Sequence, residues 1–278
     1  MFPSNIAACF LLALLIGWTS AQTFPSIAEV DLLFPRNDTY APTVLMPLVV
    51  GIQNPSAAVP LNVALHWYIY QLNGGNVTRY GDGVIPETYY IPPGARQYYE
   101  YSSFYNLATI EGTWLLHWTV SSINCSQFPV NNHSIPGYIQ GNHIIFTTKN
   151  GAQATDLVTA TADGVCATAQ SFTFNVTGVE KVSVGSADTI GGGDSVTTCA
   201  VVAPMSPTYR PNPCAAQLNA TGASSISLAL TASACGLPSS VVSCPVKSAG
   251  SLKDRFGGPI WGAATLGWLL YSLIALLI

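Results

Sequence analysis

The sequence predicts an all-β protein, an immunoglobulin-like or fibronectin-like β-sandwich followed by a disulfide-bridged β region. Three observations lead to this fold class. Apolar and polar residues alternate along several short segments, which is typical of half-buried strands. Turn-forming stretches such as "QNPSAAVP", "YGDG" and "IPPGA" separate those segments. Apart from Cys9, all cysteines lie in residues 125–244, so a cross-linked region follows the first strands.

Four segments of the chain carry the alternation that predicts strands. Their same-face apolar residues are Val63, Leu65, Trp67 and Ile69; Trp114, Leu116, Trp118 and Val120; Phe172, Phe174 and Val176; and Ile226, Leu228 and Leu230. Polar or small residues fill the positions between them, apart from Leu115, as expected for a strand with one buried face. No long helical period stands out between the two ends of the chain, so we expect strands throughout.

The amino-terminal residues 1–21 read as a signal peptide. An uncharged apolar run over residues 6–18 is followed by the small residues of "TSA", which is the pattern of an h-region and its cleavage site. The alternative is an amino-terminal membrane anchor, but the run is shorter than the ~20 residues that span a bilayer. We predict cleavage after Ala21, so that the mature chain begins at Gln22.

The carboxyl-terminal residues 249–278 read as the propeptide of a GPI signal. Residues 260–278 are uncharged and apolar, and the chain ends without a basic flank. Upstream lie three small residues, Ser248, Ala249 and Gly250, and then a polar spacer whose length suits the ~8–12 residues of such signals. We predict attachment at Ser248, or at Ala249. The alternative is a retained transmembrane helix, and either would make the membrane a partner.

Between these ends the chain divides into two predicted regions. Residues 22–155 form the N-terminal β-sandwich domain, and residues 156–248 form the Cys-containing β region. The boundary lies at "TKNGAQATD", where the content of cysteine, serine and threonine rises.

Cysteines and glycosylation sequons both suit an oxidising, secretory compartment. Removal of Cys9 leaves an even number of cysteines, which predicts three disulfides whose pairing is open among about 15 arrangements. These cysteines are Cys125, Cys166, Cys199, Cys214, Cys235 and Cys244. The predicted N-glycosylation sites are Asn37, Asn76, Asn124, Asn132, Asn175 and Asn219.

The charge of the chain excludes one class of partner. Only 8% of residues are charged, and the formal net charge is −4. A mildly acidic chain without basic clusters does not suit nucleic-acid binding. The sequence shows no cofactor motif, and we predict no cofactor.

Five stretches of the sequence resemble a known family. At "AEVDLLFPRNDTYAPT" and "GIQNP" the chain resembles a family of secreted fungal proteins whose shared domain is of unknown function. "GTWLLHW", "SFTFNVTG" and "NPCAAQLNATGASSIS" resemble the same family, so the resemblance covers nearly the whole mature chain. Members have signal peptides and often a GPI-type tail, which implies a fungal cell-surface setting. The resemblance implies no catalytic residue.

No catalytic constellation stands out in the sequence. "GGGDS" places Ser195 after glycines, but no histidine follows it to act as a base, so we interpret the stretch as a flexible loop. Glycoside hydrolysis needs two carboxylates about 5–10 Å apart. The front-domain carboxylates available for that alternative are Asp82, Glu87, Glu100 and Glu111.

Two groups of ring side chains are candidates for binding. His66 and His117 each precede a tryptophan on the outward face of a predicted strand, with Tyr68 beside them. Two imidazoles could meet there, but no third ligand is evident, so we predict no metal site. "YYIPPGARQYYEYSSFY" is the densest aromatic stretch, and its Tyr98, Tyr99 and Tyr101 are predicted to stack on sugar rings.

These observations predict an extracellular glycoprotein at the outer face of the plasma membrane or in the cell wall. We interpret it as non-enzymatic, with a structural or recognition role at the fungal wall and cell-wall polysaccharide as a candidate partner. The alternative is a secreted carbohydrate-active enzyme that uses the front-domain carboxylates.

Overall fold

The computed structural model describes residues 23–73, 76–85, 91, 95–105, 107, 110–125, 137–184, 195–206, 208–236 and 242–244. Its strands are β1 (Ser26–Phe34), β2 (Thr39–Tyr40), β3 (Leu45–Gln53), β4 (Ala64–Asn73), β5 (Asn76–Ile85), β6 (Gln97–Tyr105), β7 (Gly112–Ile123), β8 (Gly137–Thr148), β9 (Gln170–Val184) and β10 (Ser195–Ala203). Its helices are α1 (Pro55–Ala58), α2 (Leu157–Ala160) and α3 (Ala220–Cys235), with 3₁₀ turns at Val59–Leu61, Cys166–Thr168 and Pro213–Ala216.

The strands form two five-stranded sheets, which confirms the predicted all-β fold class. The order in the first sheet is β10-β9-β1-β3-β6, and the order in the second is β2-β8-β7-β4-β5. Neighbours are antiparallel except for the short parallel pair of β2 and β8. The chain passes from the first sheet to the second through α1 and its 3₁₀ turn, where Asn54 and Asn62 take positive φ angles of 50° and 49°. Asparagine tolerates that conformation better than most residues.

Aromatic side chains of both sheets interdigitate in one core. The ring of Trp67 on β4 lies edge-on to Phe104 on β6, with centroids 5.0 Å apart. Trp118 on β7 packs on Phe172 of β9 at 4.6 Å. The first three alternating segments are confirmed as strands, and every residue predicted to share their apolar faces is buried. Because these rings come from opposite sheets, the sheets pack face to face as a sandwich.

The predicted boundary near residue 155 does not separate two sheets. Strand β1, which precedes that boundary, pairs along most of its length with β9, which follows it. The described residues up to 242 form one compact unit. The segment that contains most of the cysteines therefore completes the first sheet.

The prediction of a strand around Ile226, Leu228 and Leu230 was wrong, as was the expectation of no long helix. These residues lie in α3, where Ile226, Leu230 and Ala234 are buried at a spacing of four residues. Leu228 is 69% exposed because it faces away from that stripe. Apolar residues at every second position over a short segment also fit a strand. Over the whole segment, however, the buried residues recur every four positions, which is the spacing of one face of a helix. Asn219 caps the helix by accepting a hydrogen bond from the Gly222 N–H at 2.8 Å.

Residues 204–235 pack on the outer surface of the first sheet. We name this surface of the sheet the covered face. Ala216, Leu218 and the buried side of α3 belong to the same apolar cluster as the sheet. The approach is so close at Gly51 that a Cβ there would lie 2.9 Å from the Cβ of Ala216. Glycine at this position lets the 3₁₀ turn at Pro213–Ala216 pack directly on β3.

Three disulfides cross-link the protein, as predicted from the cysteine count. Cys125, just after β7, pairs with Cys199 of β10, and so links the second sheet to the first. Cys166 pairs with Cys214, which joins two 3₁₀ turns. Cys235 and Cys244 are also disulfide-bonded.

The predicted sorting signals lie outside the described residues. These are the signal peptide, the attachment residues Ser248 and Ala249, and the apolar segment 260–278. Within the part of the chain that the structure describes, no helix combines the length and apolarity needed to span a bilayer.

Candidate functional site

No segment of the described residues covers the outer surface of the second sheet, and we name this surface the open face. Its side chains come from alternate positions on β4, β7 and β8, opposite the buried tryptophans, and the register sets them in rows. They are all half-buried or exposed. The open face consists of His66, Tyr68, Tyr70, Leu115, His117, Thr119, Ile139, Gly141, His143 and Ile145.

The central row of the open face brings three rings together. Tyr68, His117 and His143 lie directly opposite one another on β4, β7 and β8. The Tyr68 and His117 rings are stacked, with centroids 6.3 Å apart and planes 29° apart. This confirms that the strands carrying His66 and His117 are neighbours, although His66 itself lies opposite Thr119. Sequence reasoning missed His143, because "GNHIIF" lacks the clear alternation of the other two strands.

The side chains of Thr119 and His117 lie close against Gly141 beside this row. A Cβ on Gly141 would lie 3.1 Å from Cγ2 of Thr119 and 3.4 Å from Cε1 of His117. A larger residue would therefore have to push these side chains aside. A glycine inside a strand often marks a close approach of another group to the backbone, and here the neighbouring side chains of β7 make that approach.

The chemistry of the open face favours contact with apolar and hydroxyl groups of a ligand. Its described side chains on β4, β7 and β8 include no Asp, Glu, Lys or Arg. The described residues hold no cluster of three His, Cys, Asp or Glu that could bind a metal. Aromatic and imidazole rings offer flat surfaces for stacking, and their polar atoms can form hydrogen bonds at the edge.

The predicted sugar-binding tyrosines do not share one surface. Tyr98 packs against the core, and the pKa of its hydroxyl is raised by burial and then by nearby Glu100. Tyr99 faces the covered side, where its hydroxyl donates to the Gln217 carbonyl at 2.9 Å. Tyr101 is exposed. The alternation of β6 separates Tyr98 from the other two, so they do not form one flat stacking surface.

The carboxylates considered for glycoside hydrolysis are scattered. Asp82 lies on β5, whose side chains are outside the described part, and Glu87 is also outside it. Burial raises the pKa of Glu100 on β6 to about 7, against the effect of its hydrogen bond with Tyr98. Glu111 is exposed and accepts a hydrogen bond from the Asn150 N–H at 2.5 Å. The described members of this set form no facing pair.

Two other carboxylates, which the sequence analysis did not single out, lie side by side under the covered face. Glu29 and Asp31 on β1 are 2% and 0% exposed. Glu29 accepts hydrogen bonds from the Tyr209 hydroxyl at 2.7 Å and the Asn212 N–H at 2.8 Å. Gln53 donates to Asp31 at 2.8 Å and to Glu29 at 3.2 Å. We name these five residues the carboxylate cluster.

The carboxylate cluster joins residues 209–212 to the first sheet. Burial raises the pKa of Asp31 to about 7, and its hydrogen bonds with Ser171 and Gln53 oppose that shift. Burial and the hydrogen bond to Glu29 raise the pKa of Tyr209. Because Glu29 and Asp31 are sealed from solvent and accept hydrogen bonds from the chain itself, they hold residues 209–212 on the first sheet. A substrate could not reach them without displacing that segment.

The sequon asparagines occupy different settings. Asn37 and Asn219 are exposed, and Asn76 opens strand β5. The Asn124 side-chain oxygen accepts from the Val202 N–H at 3.1 Å. The Asn175 side-chain nitrogen donates to the Pro204 carbonyl at 3.1 Å. Asn132 lies outside the described residues. Glycosylation at these positions stays a prediction.

Comparison with known proteins supports one part of the resemblance seen in the sequence, the shared domain of unknown function. A search of curated proteins finds no match to this chain. A family model described as a domain of unknown function, DUF7136, matches residues 23–244. That range takes in both sheets, the covered face and the open face. The chain therefore belongs to the DUF7136 family, which shares a domain of unknown function.

Proposed function

We propose that this protein is a non-enzymatic recognition protein of the fungal cell surface that binds wall polysaccharide on its open face. The observation that carries the proposal is the central row of Tyr68, His117 and His143 on an uncovered sheet. A polysaccharide presents alternating apolar ring faces and hydroxyl groups, which match stacked rings with polar edges. The neighbouring Thr119 on β7 adds a hydroxyl beside this row.

The dimensions of the open face suit a short stretch of polysaccharide. Neighbouring strands lie about 4.8 Å apart, and same-face residues along a strand lie roughly 7 Å apart. Three strands and three rows thus make a surface on the order of 10 Å by 14 Å. Isolated exposed apolar residues need no explanation, but a contiguous patch of rings and apolar side chains marks a contact surface.

The localisation that we propose rests on the sequence. We propose that residues 1–21 direct secretion, that N-glycans compensate for the sparse charge, and that a GPI anchor at Ser248 or Ala249 holds the protein at the outer face of the plasma membrane. The disulfides support an oxidising compartment. The alternative of a carbohydrate-active enzyme receives less support, because the accessible front-domain carboxylates form no pair among the described residues.

The binding surface is tested by sedimentation with insoluble chitin and β-glucan. The whole chain is expressed in a secretory host, and the mature protein is purified. We expect at least one of the two polymers to retain it. Tyr68→Ala and His117→Ala should each weaken retention about tenfold. The stacking of a nucleic-acid base on an aromatic side chain contributes on the order of 1–3 kcal/mol, and we expect a sugar ring to gain an amount at the lower end of that range. Tyr101→Ala is the matched control, because it removes an exposed tyrosine from the first sheet.

The outcomes separate the two candidate surfaces. Loss of retention in Tyr101→Ala but not in Tyr68→Ala would move the site to the aromatic stretch on β6. Absence of retention on every polymer would reject a polysaccharide-binding function. Release of the protein from intact cells by phosphatidylinositol-specific phospholipase C tests the anchor independently, and a protein that stays bound would indicate a retained helix.

A further inference from the structure

A cavity of about 600 Å³ lies at the edge of the open face. Its wall includes Arg36 and Asp38 from the loop after β1, His143 and Ile145 from β8, Thr168 from the 3₁₀ turn before β9, and Gln170 from the start of β9. His143 and Ile145 also belong to the open face. A polysaccharide lying across the central row would therefore reach the opening of the cavity.

Arg36 is a buried cation in the wall of this cavity. The residue is 6% exposed, and its guanidinium donates to the carbonyls of Leu32 at 3.3 Å and Val165 at 2.8 Å and to the Thr168 hydroxyl at 2.6 Å. Those bonds use three of the five guanidinium N–H groups. All three acceptors are neutral, so they orient the charge without balancing it. A buried charge is costly unless it is paired.

The acidic residue in the cavity wall forms no ion pair with Arg36. Asp38 lines the same cavity, but its carboxylate accepts a hydrogen bond from the Thr39 N–H at 2.7 Å. No carboxylate among the described residues forms an ion pair with Arg36, and burial lowers the pKa of its guanidinium. The positive charge therefore faces a cavity with room for a ligand.

The cavity wall is held in place by a hydrogen-bonded bridge. The Gln170 side chain accepts from the Trp118 indole N–H at 2.8 Å and donates to the His143 carbonyl at 2.6 Å. Arg36 is tied in the same way to Val165 and Thr168. Because these groups are fixed by the fold, a ligand would meet a formed site.

We propose that this cavity binds the carboxylate of a uronic acid unit, through Arg36, when an acidic polysaccharide lies on the open face. The inference rests on the proposed function, and it specifies the class of polysaccharide. A planar guanidinium matches a carboxylate in geometry and charge. The polar wall provides His143 and Thr168 for the sugar hydroxyls.

The site is tested by isothermal titration and by ¹⁵N NMR of the mature protein with sodium glucuronate, using glucose as the neutral probe. We expect glucuronate, and not glucose, to shift the signals of the Arg36 side chain and the Gln170 amide. Arg36→Gln should abolish the response, and Arg36→Lys should retain part of it. Arg96→Gln is the matched control, since it removes one charge from an exposed arginine elsewhere on the first-sheet side.

Polymer binding is measured in parallel with polygalacturonate and its carboxyl-reduced form. We expect the acidic polymer to bind at least about ten times more tightly than the reduced polymer, because one charge-assisted hydrogen bond contributes a difference of this order. Removal of the Asn37 glycan by Thr39→Ala should leave this preference in place. If glucuronate produces no response in the unmodified protein, the cavity inference is overturned, whether or not Arg36 variants fold.

The two proposals fail in different ways. Glucuronate binding without retention on any polymer would reject the polysaccharide-binding function and keep Arg36 as a carboxylate site. Equal binding of the acidic and reduced polymers, with no effect of Arg36→Gln, would keep the open face and reject the cavity as a site for acidic sugars.

Discussion

Both sheets of this sandwich have five strands, but their outer surfaces differ in whether another part of the chain packs on them. On β1 the outward positions hold Glu29 and Asp31, and on β4 the outward positions hold His66 and Tyr68. The charged pair is sealed beneath residues 204–235, whereas the uncharged rings remain accessible. Alternation along a strand therefore determines which side chains face away from the core. Whether that outer face meets water depends on what the rest of the chain packs against it.

The cover on the first sheet is fixed by three kinds of interaction. The Cys166–Cys214 disulfide, the apolar stripe of α3 and the carboxylate cluster all join residues 204–235 to the sheet or its loops. The open face has no corresponding segment among the described residues. Substitutions should therefore be costly on one side and nearly neutral on the other.

We expect the largest effect from removing the disulfide that anchors the cover. Cys166 and Cys214 are separated by 48 positions. Closing a loop of this length in the unfolded chain corresponds to about 4 kcal/mol of stability. Urea unfolding of Cys166→Ser/Cys214→Ser should show a loss of this order. A stability equal to that of the unmodified protein would mean that the cover is held without this bridge.

Burial of α3 gives the next effect. Leu230→Ala removes a buried side chain from the covered face and should cost about 2–4 kcal/mol. Leu228→Ala removes the same side chain from the exposed side of the same helix and should change stability by about 0.5 kcal/mol or less. Thermal and urea unfolding of the two variants measure the difference. Equal losses would show that α3 does not pack as described.

The carboxylate cluster should make stability depend on pH. Because the pKa of Asp31 is raised to about 7, the folded protein holds a proton that the unfolded chain releases near pH 4. The free energy of unfolding should therefore fall as the pH rises from about 4 to about 7. Glu100 contributes in the same direction, so the comparison requires a variant.

Asp31→Asn isolates the contribution of Asp31. The amide keeps the shape of the neutral carboxyl group but cannot lose a proton. Urea unfolding at pH 5 and pH 7.5 should show a smaller decrease in the variant than in the unmodified protein. An identical pH dependence in both would exclude Asp31 as the titrating group.

The cap of α3 should have a smaller effect. Asn219→Ala removes the side-chain acceptor for the Gly222 N–H and should cost about 1 kcal/mol. The same substitution also removes a predicted glycosylation sequon. Thr221→Ala removes the sequon and keeps the cap, so unfolding of both variants separates a glycan effect from a capping effect.

The open face should tolerate change almost without cost. Ile139 is 70% exposed on β8, and Ile139→Ser should alter the free energy of unfolding by about 0.5 kcal/mol or less. Calorimetric unfolding checks this. A large loss would indicate that another part of the protein covers this face.

The strands could be predicted because their signal is local. Trp114, Leu116 and Trp118 recur at every second position of a single segment, and no distant contact is needed to recognise a buried face. Helix α3 was missed because its apolar residues also fit an alternating pattern, and its serines and threonines are poor helix formers. The capping asparagine and the spacing of Ile226, Leu230 and Ala234 were signals in the sequence that favoured a helix.

The candidate sites were only partly predictable. His66, Tyr68 and His117 could be placed on an outward face, but the register that brings His143 beside them depends on strand pairing. Glu29 and Asp31 were not singled out from the sequence, because the segment that buries them comes almost two hundred positions later. The unpaired charge of Arg36 likewise emerges only when β1, β8 and β9 meet around it.

Strand β1 is central in the first sheet, although the ribosome makes it before any other strand. One neighbour, β3, follows soon, but Asp31 and its partner Ser171 on β9 are 140 positions apart. Until β9 emerges, the nascent chain presents an unpaired edge with apolar side chains, which is prone to join other chains. Such distant pairing slows folding. The order of synthesis thus leaves this edge without its partner strand until well over half of the chain has been made.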